Sequence, residues 1–95
     1  MPTYERTDRF QRDHRGLSPV QRARFRRAVG RFVVDLAGGT FRDGLRVKRV
    51  DGTGGIFEMT SAPDGRATFQ YGKSRGKGPH VIWRRIGSHD IFGEP

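Results

Sequence analysis

Arg46, Lys48, Glu58, Arg66 and His89 are the residues of this chain whose types and spacing could carry chemistry. Alternation along the strands of the second half gathers Arg46, Lys48, Glu58 and Arg66 on one sheet face: three cations around a carboxylate. His89 follows the last strand and can fold back to the sheet's edge. Such a set suits cleavage of an RNA phosphodiester. A base, Glu58 or Lys48, takes the proton of a ribose 2′-OH, and the freed oxygen attacks the adjacent phosphorus. Arginines hold the charge that builds on the phosphoryl oxygens. His89 is the natural acid for the departing 5′-oxygen, because an imidazole titrates near neutral pH. Acid and base steps contribute about 10²–10⁴-fold each. The same residues have plainer readings. Glu58 can pair with Arg66 or Lys48 across strands, Arg66 can simply open a strand, and His89 can cap the tail beside Asp90. On the residues alone, a ribonuclease and a plain nucleic-acid-binding domain are equally supported.

Composition narrows the setting. The chain has 95 residues, with 19 Lys+Arg against 10 Asp+Glu and a formal charge of +9. That length fits one domain, 1–95, with a small core. Seven Phe, two Tyr and Trp83 argue for a folded chain, since disordered segments are poor in aromatics. The charge favours a polyanionic partner: nucleic acid, an anionic membrane surface or an acidic protein. Sixteen of the cations are Arg, the side chain suited to bidentate phosphate recognition. Without cysteine there is no disulfide scaffold, thiolate metal site or Cys nucleophile. No His/Asp/Glu spacing resembles a metal-ligand set, no Gly-rich phosphate loop precedes a helix, and no cofactor is expected. No apolar run approaches a bilayer-spanning length, and Met1 to Arg15 is charged throughout. The expectation is a cytoplasmic protein with no membrane partner.

The elements that must position these residues are marked by punctuation. Tyr4 to Arg15 reads as a short strand, then a helical turn or two from near Thr7, stopped by Gly16. Ser18-Pro19-Val20-Gln21 combines an N-cap, a proline at the first helical position and a capping-box glutamine. Phe25, Val29, Phe32 and Leu36 form one apolar stripe, and Gly38-Gly39 supplies a left-handed stop. A helix from Pro19 to about Ala37 follows. The period then changes from 3.6 to 2. Strands are expected at Leu45–Val50, Ile56–Thr60, Arg66–Tyr71 and His80–Ile86, joined by short turns into an antiparallel meander. Ala67, Phe69 and Tyr71 fall on the core side, and Arg66, Thr68 and Gln70 on the open side. Trp83 is assigned to the core, and His14 and His80 to the surface. Arg49, Arg85 and the loop cations Lys73 and Arg75 complete a candidate RNA-binding set.

The order GLRVKRVDGTGGIFEMTSAPDGRATFQYG … VIWRRIGSHDIF resembles the RelE/ParE superfamily of toxins from bacterial type II toxin–antitoxin modules. The resemblance implies an α+β fold: one or two N-terminal helices on a four-stranded, mostly antiparallel sheet, often with Tyr4 to Arg6 as an added edge strand. It implies a metal-independent endonuclease that cuts mRNA on the ribosome. It also implies a monomeric toxin held in a hetero-oligomeric complex by a cognate antitoxin, a short acidic or amphipathic chain laid over the basic helix and sheet rim. Arg66 matches the arginine that contacts the scissile phosphate. His89 matches the C-terminal acid position, and Lys48 and Arg46 match the basic strand after the helix. Glu58 falls where relatives carry either Lys or an acid. A C-terminal Tyr present in several relatives is absent, Phe92 being the nearest aromatic. A branch that inhibits DNA gyrase lacks the catalytic set, so Arg66 and His89 favour the ribonuclease branch.

Overall fold

A computed structural model describes residues 2–95. It begins with strand β1 (Thr3–Arg6) and helix α1 (Asp8–Arg15). Thr7 caps α1 by accepting from the Phe10 amide, and Gly16 ends it. Helix α2 spans Pro19–Gly38, with both halves of the Ser18/Gln21 capping box formed. Gly39 closes it at φ 86, a left-handed conformation that glycine adopts without strain. Ser18→Ala removes one cap bond and is expected to cost about 1 kcal/mol. For a domain of this size that is a fall in Tm of roughly 4–8 °C, read by thermal circular dichroism.

Beyond α2 the chain is tied back by Asp35. Its carboxylate accepts from Arg42 Nε at 2.8 Å, Nη2 at 2.9 Å and the Arg42 amide at 2.9 Å. These bonds pull its pKa from 3.8 down to about 2. A carboxyl depressed in the folded state stabilises above its unfolded pKa, and that contribution is lost as pH falls through the folded value. The advantage of the wild type over Asp35→Asn is therefore expected to be full at pH 5. It should shrink from pH 4 downward and vanish below about pH 2, as read from urea midpoints.

Four further strands follow: β2 (Lys48–Arg49), β3 (Phe57–Ala62), β4 (Gly65–Gly72) and β5 (His80–Gly87). The sheet order is β1-β5-β4-β3-β2. β2 to β5 form the expected antiparallel meander, and β1 joins β5 in parallel as the fifth strand. This is the α+β architecture that the residues and their resemblance suggest. The strand expected over Leu45–Val50 is corrected. Asp43–Leu45 is a 3₁₀ turn, Arg46 closes it at φ 48, and only Lys48–Arg49 pair as strand.

One face of the sheet meets both helices. Phe69, Met59, Ala67, Val81, Trp83 and Ile86 are buried there with Phe10, Ala28 and Phe32. The rings form one continuous cluster. Phe69 lies 5.0 Å from Phe32, 5.4 Å from Trp83 and 5.6 Å from Phe57. Tyr71, expected in this core, stands at its rim, 41% exposed.

The opposite face is only partly open. A C-terminal 3₁₀ turn, His89–Gly93, packs back onto β4 and β5 and buries Ile91 outside the main cluster. A Cβ at Gly87 would stand 3.0 Å from Ile91 Cγ2, so Gly87 leaves room for this fold-back. Thr68, expected on an open face, is fully buried there. Its Oγ1 has no hydrogen-bond partner among the described residues.

Candidate active site

Register decides which candidates meet. Across the non-helical face, Lys48 pairs with Glu58, Glu58 with Thr68 and Thr68 with Arg85. The next row holds Thr60, Arg66 and Gly87. His89 lies two residues past Gly87 and opens the C-terminal 3₁₀ turn. Paired Cα atoms stand about 5 Å apart and two residues span at most about 7.6 Å, so the Arg66 and His89 backbones lie within about 13 Å. Both side chains are long enough to approach one phosphate from that separation.

Each side chain has a local partner. Arg66 Nη1 donates to the carbonyls of Ala62, Pro63 and Gly65, at 3.1, 3.3 and 2.9 Å, folding the guanidinium over the β3–β4 turn. His89 is exposed, its ring edge-to-face with Phe92 at 4.9 Å. Lys48 Nζ stands 3.8 Å from Glu58 Oε1; the lysine side chain is 69% exposed and the glutamate 14%. The cross-strand pair that alternation suggested is thus formed, with Lys48 and not with Arg66.

Other candidates lie apart. Arg46 sits in the turn before β2 and not on a strand shared with Lys48. Arg49 points to the helix side of the edge, with its guanidinium 5.6 Å from the centre of the Phe57 ring. Lys73 and Arg75 follow Gly72, six residues along β4 from Arg66. That is the far end of the sheet, about 20 Å away at 3.4 Å per residue. Arg75 there stands 3.6 Å from Glu5. Arg85 is committed to Asp13, which it meets through Nε at 2.6 Å and Nη2 at 3.3 Å. The same carboxylate accepts the Ile86 amide at 3.2 Å, taking over where β1 stops pairing with β5.

Of the two histidines expected at the surface, one is buried and the other half-buried. His80 is buried between Thr3 Oγ1, 2.7 Å from Nδ1, and Glu5 Oε1, 2.9 Å from Nε2. It thereby fastens β1 to β5. His14 is half-buried and stacked on Phe10. Its pKa is lowered from 6.5 by burial first, then by the charges of Arg22, Arg6 and Arg26. Those arginines rim a groove of about 330 Å³ between β1, α1 and α2, floored by Phe25, Val29 and Trp83. Arg84 was not among the sequence candidates. It belongs to a second cleft of about 470 Å³, on the face away from this groove and close to the C-terminal 3₁₀ turn. The sequence signal was the spacing of Trp83 and Ile86. Two core residues three apart break the period of two and require the bulge seen opposite Thr68 and Phe69.

Among the described residues no three His, Asp or Glu side chains are grouped to hold a metal ion. None of the described helices is long and apolar enough to cross a membrane.

No protein-family profile and no curated protein matches the sequence. Solved structures do match its fold. The metal-bound toxin from Helicobacter pylori is 20% identical, with a TM-score of 0.66 over 95% of this chain and 97% of that one. The YoeB/ParE toxin from Agrobacterium tumefaciens is 14% identical, with a TM-score of 0.64 over 92% and 98%. A chain of the E. coli DinJ-YafQ toxin-antitoxin complex is 12% identical, with a TM-score of 0.64 over 95% and 94%. The chain thus has the RelE-like α+β fold of these structures.

Proposed function

We propose that this chain is the toxin of a type II toxin–antitoxin module and an endoribonuclease acting on ribosome-bound mRNA by attack of a 2′-OH on the adjacent phosphate. The observation that carries this reading is the pairing of Arg66 with Gly87, two residues before His89. It brings the Arg66 and His89 backbones to one end of the face that also carries Lys48 and Glu58. Arg66 exchanges its turn carbonyls for the phosphoryl oxygens as charge develops on them. His89, exposed beside Phe92, protonates the 5′-oxygen. An ionised carboxylate accepts a proton as it stands, whereas an ammonium must first lose one. Glu58 is therefore the base, and Lys48 beside it serves the phosphate. No step is assigned to a metal.

The groove rimmed by Arg6, Arg22 and Arg26 supports an acidic, amphipathic antitoxin, its apolar side on Phe25 and Val29. A non-enzymatic reading, in which the chain binds RNA, gyrase or only its antitoxin, is favoured by one observation. The Arg66 guanidinium is already tied to three carbonyls.

Induced expression with mapping of message ends tests the proposal. Growth arrest with cuts in translated messages is expected, and the cuts should disappear when translation initiation is blocked. Growth without arrest, or cutting independent of translation, contradicts it.

A further inference from the structure

Strand β5 runs past the end of its parallel partner. β1 pairs with it only as far as Trp83, and α1 then takes over its outer edge. The Thr7 amide donates to the Trp83 carbonyl at 3.0 Å, and Thr7 Oγ1 donates to the Arg84 carbonyl at 2.9 Å. Near the other end of α1, Asp13 Oδ2 accepts the Ile86 amide at 3.2 Å. That oxygen also accepts from Arg85 Nε at 2.6 Å, and Oδ1 accepts from Nη2 at 3.3 Å. Both side chains of this pair are nearly enclosed. The remaining guanidinium nitrogen, Nη1, reaches the other way and donates to the Glu94 carbonyl at 2.9 Å. Glu94 closes the C-terminal 3₁₀ turn that His89 opens. A planar guanidinium can serve both acceptors because its N–H groups point outward in a fixed fork. Asp13 therefore grips the His89 segment at both ends, at β5 through the Ile86 amide and at Glu94 through Arg85. The turn's own bonds, Ile91 amide to Ser88 carbonyl and Glu94 amide to Ile91 carbonyl, are internal to it. Two further polar ties reach the body of the domain: an exposed Arg9–Glu94 pair at 3.5 Å, and Arg84 Nε to the Pro95 carbonyl at 3.3 Å.

We infer that Asp13, acting through Arg85, is the positioning residue that holds the His89 turn in register with the Arg66 end of the sheet. Arg85 then serves the site by carrying this link and not by contacting phosphate. A proton donor displaced by about 1 Å loses on the order of 10²-fold in rate, so a loosened turn slows the chemical step without touching substrate. The catalytic consequence rests on the ribonuclease reading, whereas the hold on the turn is measured without any substrate.

Two variants cut the link in different places. Arg85→Lys keeps a cation for Asp13, but its single nitrogen does not span the carboxylate and the Glu94 carbonyl. Asp13→Asn still accepts the Ile86 amide, but its Nδ2 cannot accept from Arg85. Circular dichroism confirms that each is folded. Amide hydrogen exchange, read by NMR on the free protein, should speed up about 10-fold at Ile91 and Glu94 in both, with the β4 core amides unchanged. Arg9→Gln, which breaks only the exposed pair, should change these rates by less than about 2-fold. On ribosome-bound message, Arg85→Lys and Asp13→Asn should lower kcat about 10–100-fold with KM within about 2-fold. In the His89→Ala background either one should add less than about 2-fold, because the group being positioned is gone. Unchanged exchange at Ile91 and Glu94 overturns the inference, as does an equal loosening in Arg9→Gln. So does a loosened turn with the full cleavage rate, or a loss that adds in full to that of His89→Ala. A wild type that cuts no message removes the ribonuclease reading alone, and the exchange rates then decide whether Asp13 and Arg85 hold the turn.

Discussion

His89→Ala is expected to slow single-turnover cleavage of ribosome-bound message by about 10²–10⁴-fold, with RNA affinity nearly unchanged. The exposed ring contacts Phe92 and carries none of the fold. On the proposed mechanism its loss removes the proton donor and little else. Arg66→Ala should cost about 10²–10³-fold, the usual effect of deleting one donor to a developing oxyanion. Part of any stability loss in that variant comes from the turn carbonyls of Ala62, Pro63 and Gly65, left without their donor. Arg66→Lys separates the two effects. It keeps a charge but not the planar fork, so it should fold like the wild type and cleave slowly. Full rates for both alanine variants would contradict the roles given to Arg66 and His89, whereas no cleavage by the wild type would leave the non-enzymatic reading standing.

The second large effect is on stability. Phe69→Ala should cost about 3–5 kcal/mol, because this fully buried ring joins α2 to the sheet. Small domains hold about 5–15 kcal/mol in all. The variant should melt more than about 12 °C below the wild type in circular dichroism. A loss under 1 kcal/mol would mean that Phe32, Phe57 and Trp83 do not form one cluster around it.

What could be read from the residues follows from locality. The helix Pro19–Gly38 was legible because its cap, stripe and stop all lie within its own twenty residues. The strands β3, β4 and β5 were legible because Pro63, Asp64, Gly65 and the glycines after Tyr71 fix their ends. The strand after the helix was not. The alternation of Leu45 to Val50 suggested a strand, but the chain bends at Arg46, leaving a two-residue strand. His80 was misread because its partners Thr3 and Glu5 arrive by parallel pairing from the other end of the sequence. Thr68 was misread because the fold-back of Ile91 covers it, and no local pattern encodes that closure. Arg85, named in the RNA-binding set, is committed to Asp13 on α1, a partner that no local pattern announces. For the site, the meeting of Lys48 and Glu58 came through directly from cross-strand spacing. The separation of Lys73 and Arg75 from Arg66 needed the register, because residue type alone says nothing about which end of a sheet a cation occupies.

The chemistry itself is tested most directly at the cut ends of the RNA. A message with a 2′-deoxy nucleotide at the mapped scissile position, bound to ribosomes and incubated with the purified protein, should stay intact. Its all-ribose counterpart should yield a 2′,3′-cyclic phosphate and a 5′-hydroxyl. Cleavage of the deoxy message, or products bearing a 5′-phosphate, would contradict attack by the 2′-oxygen.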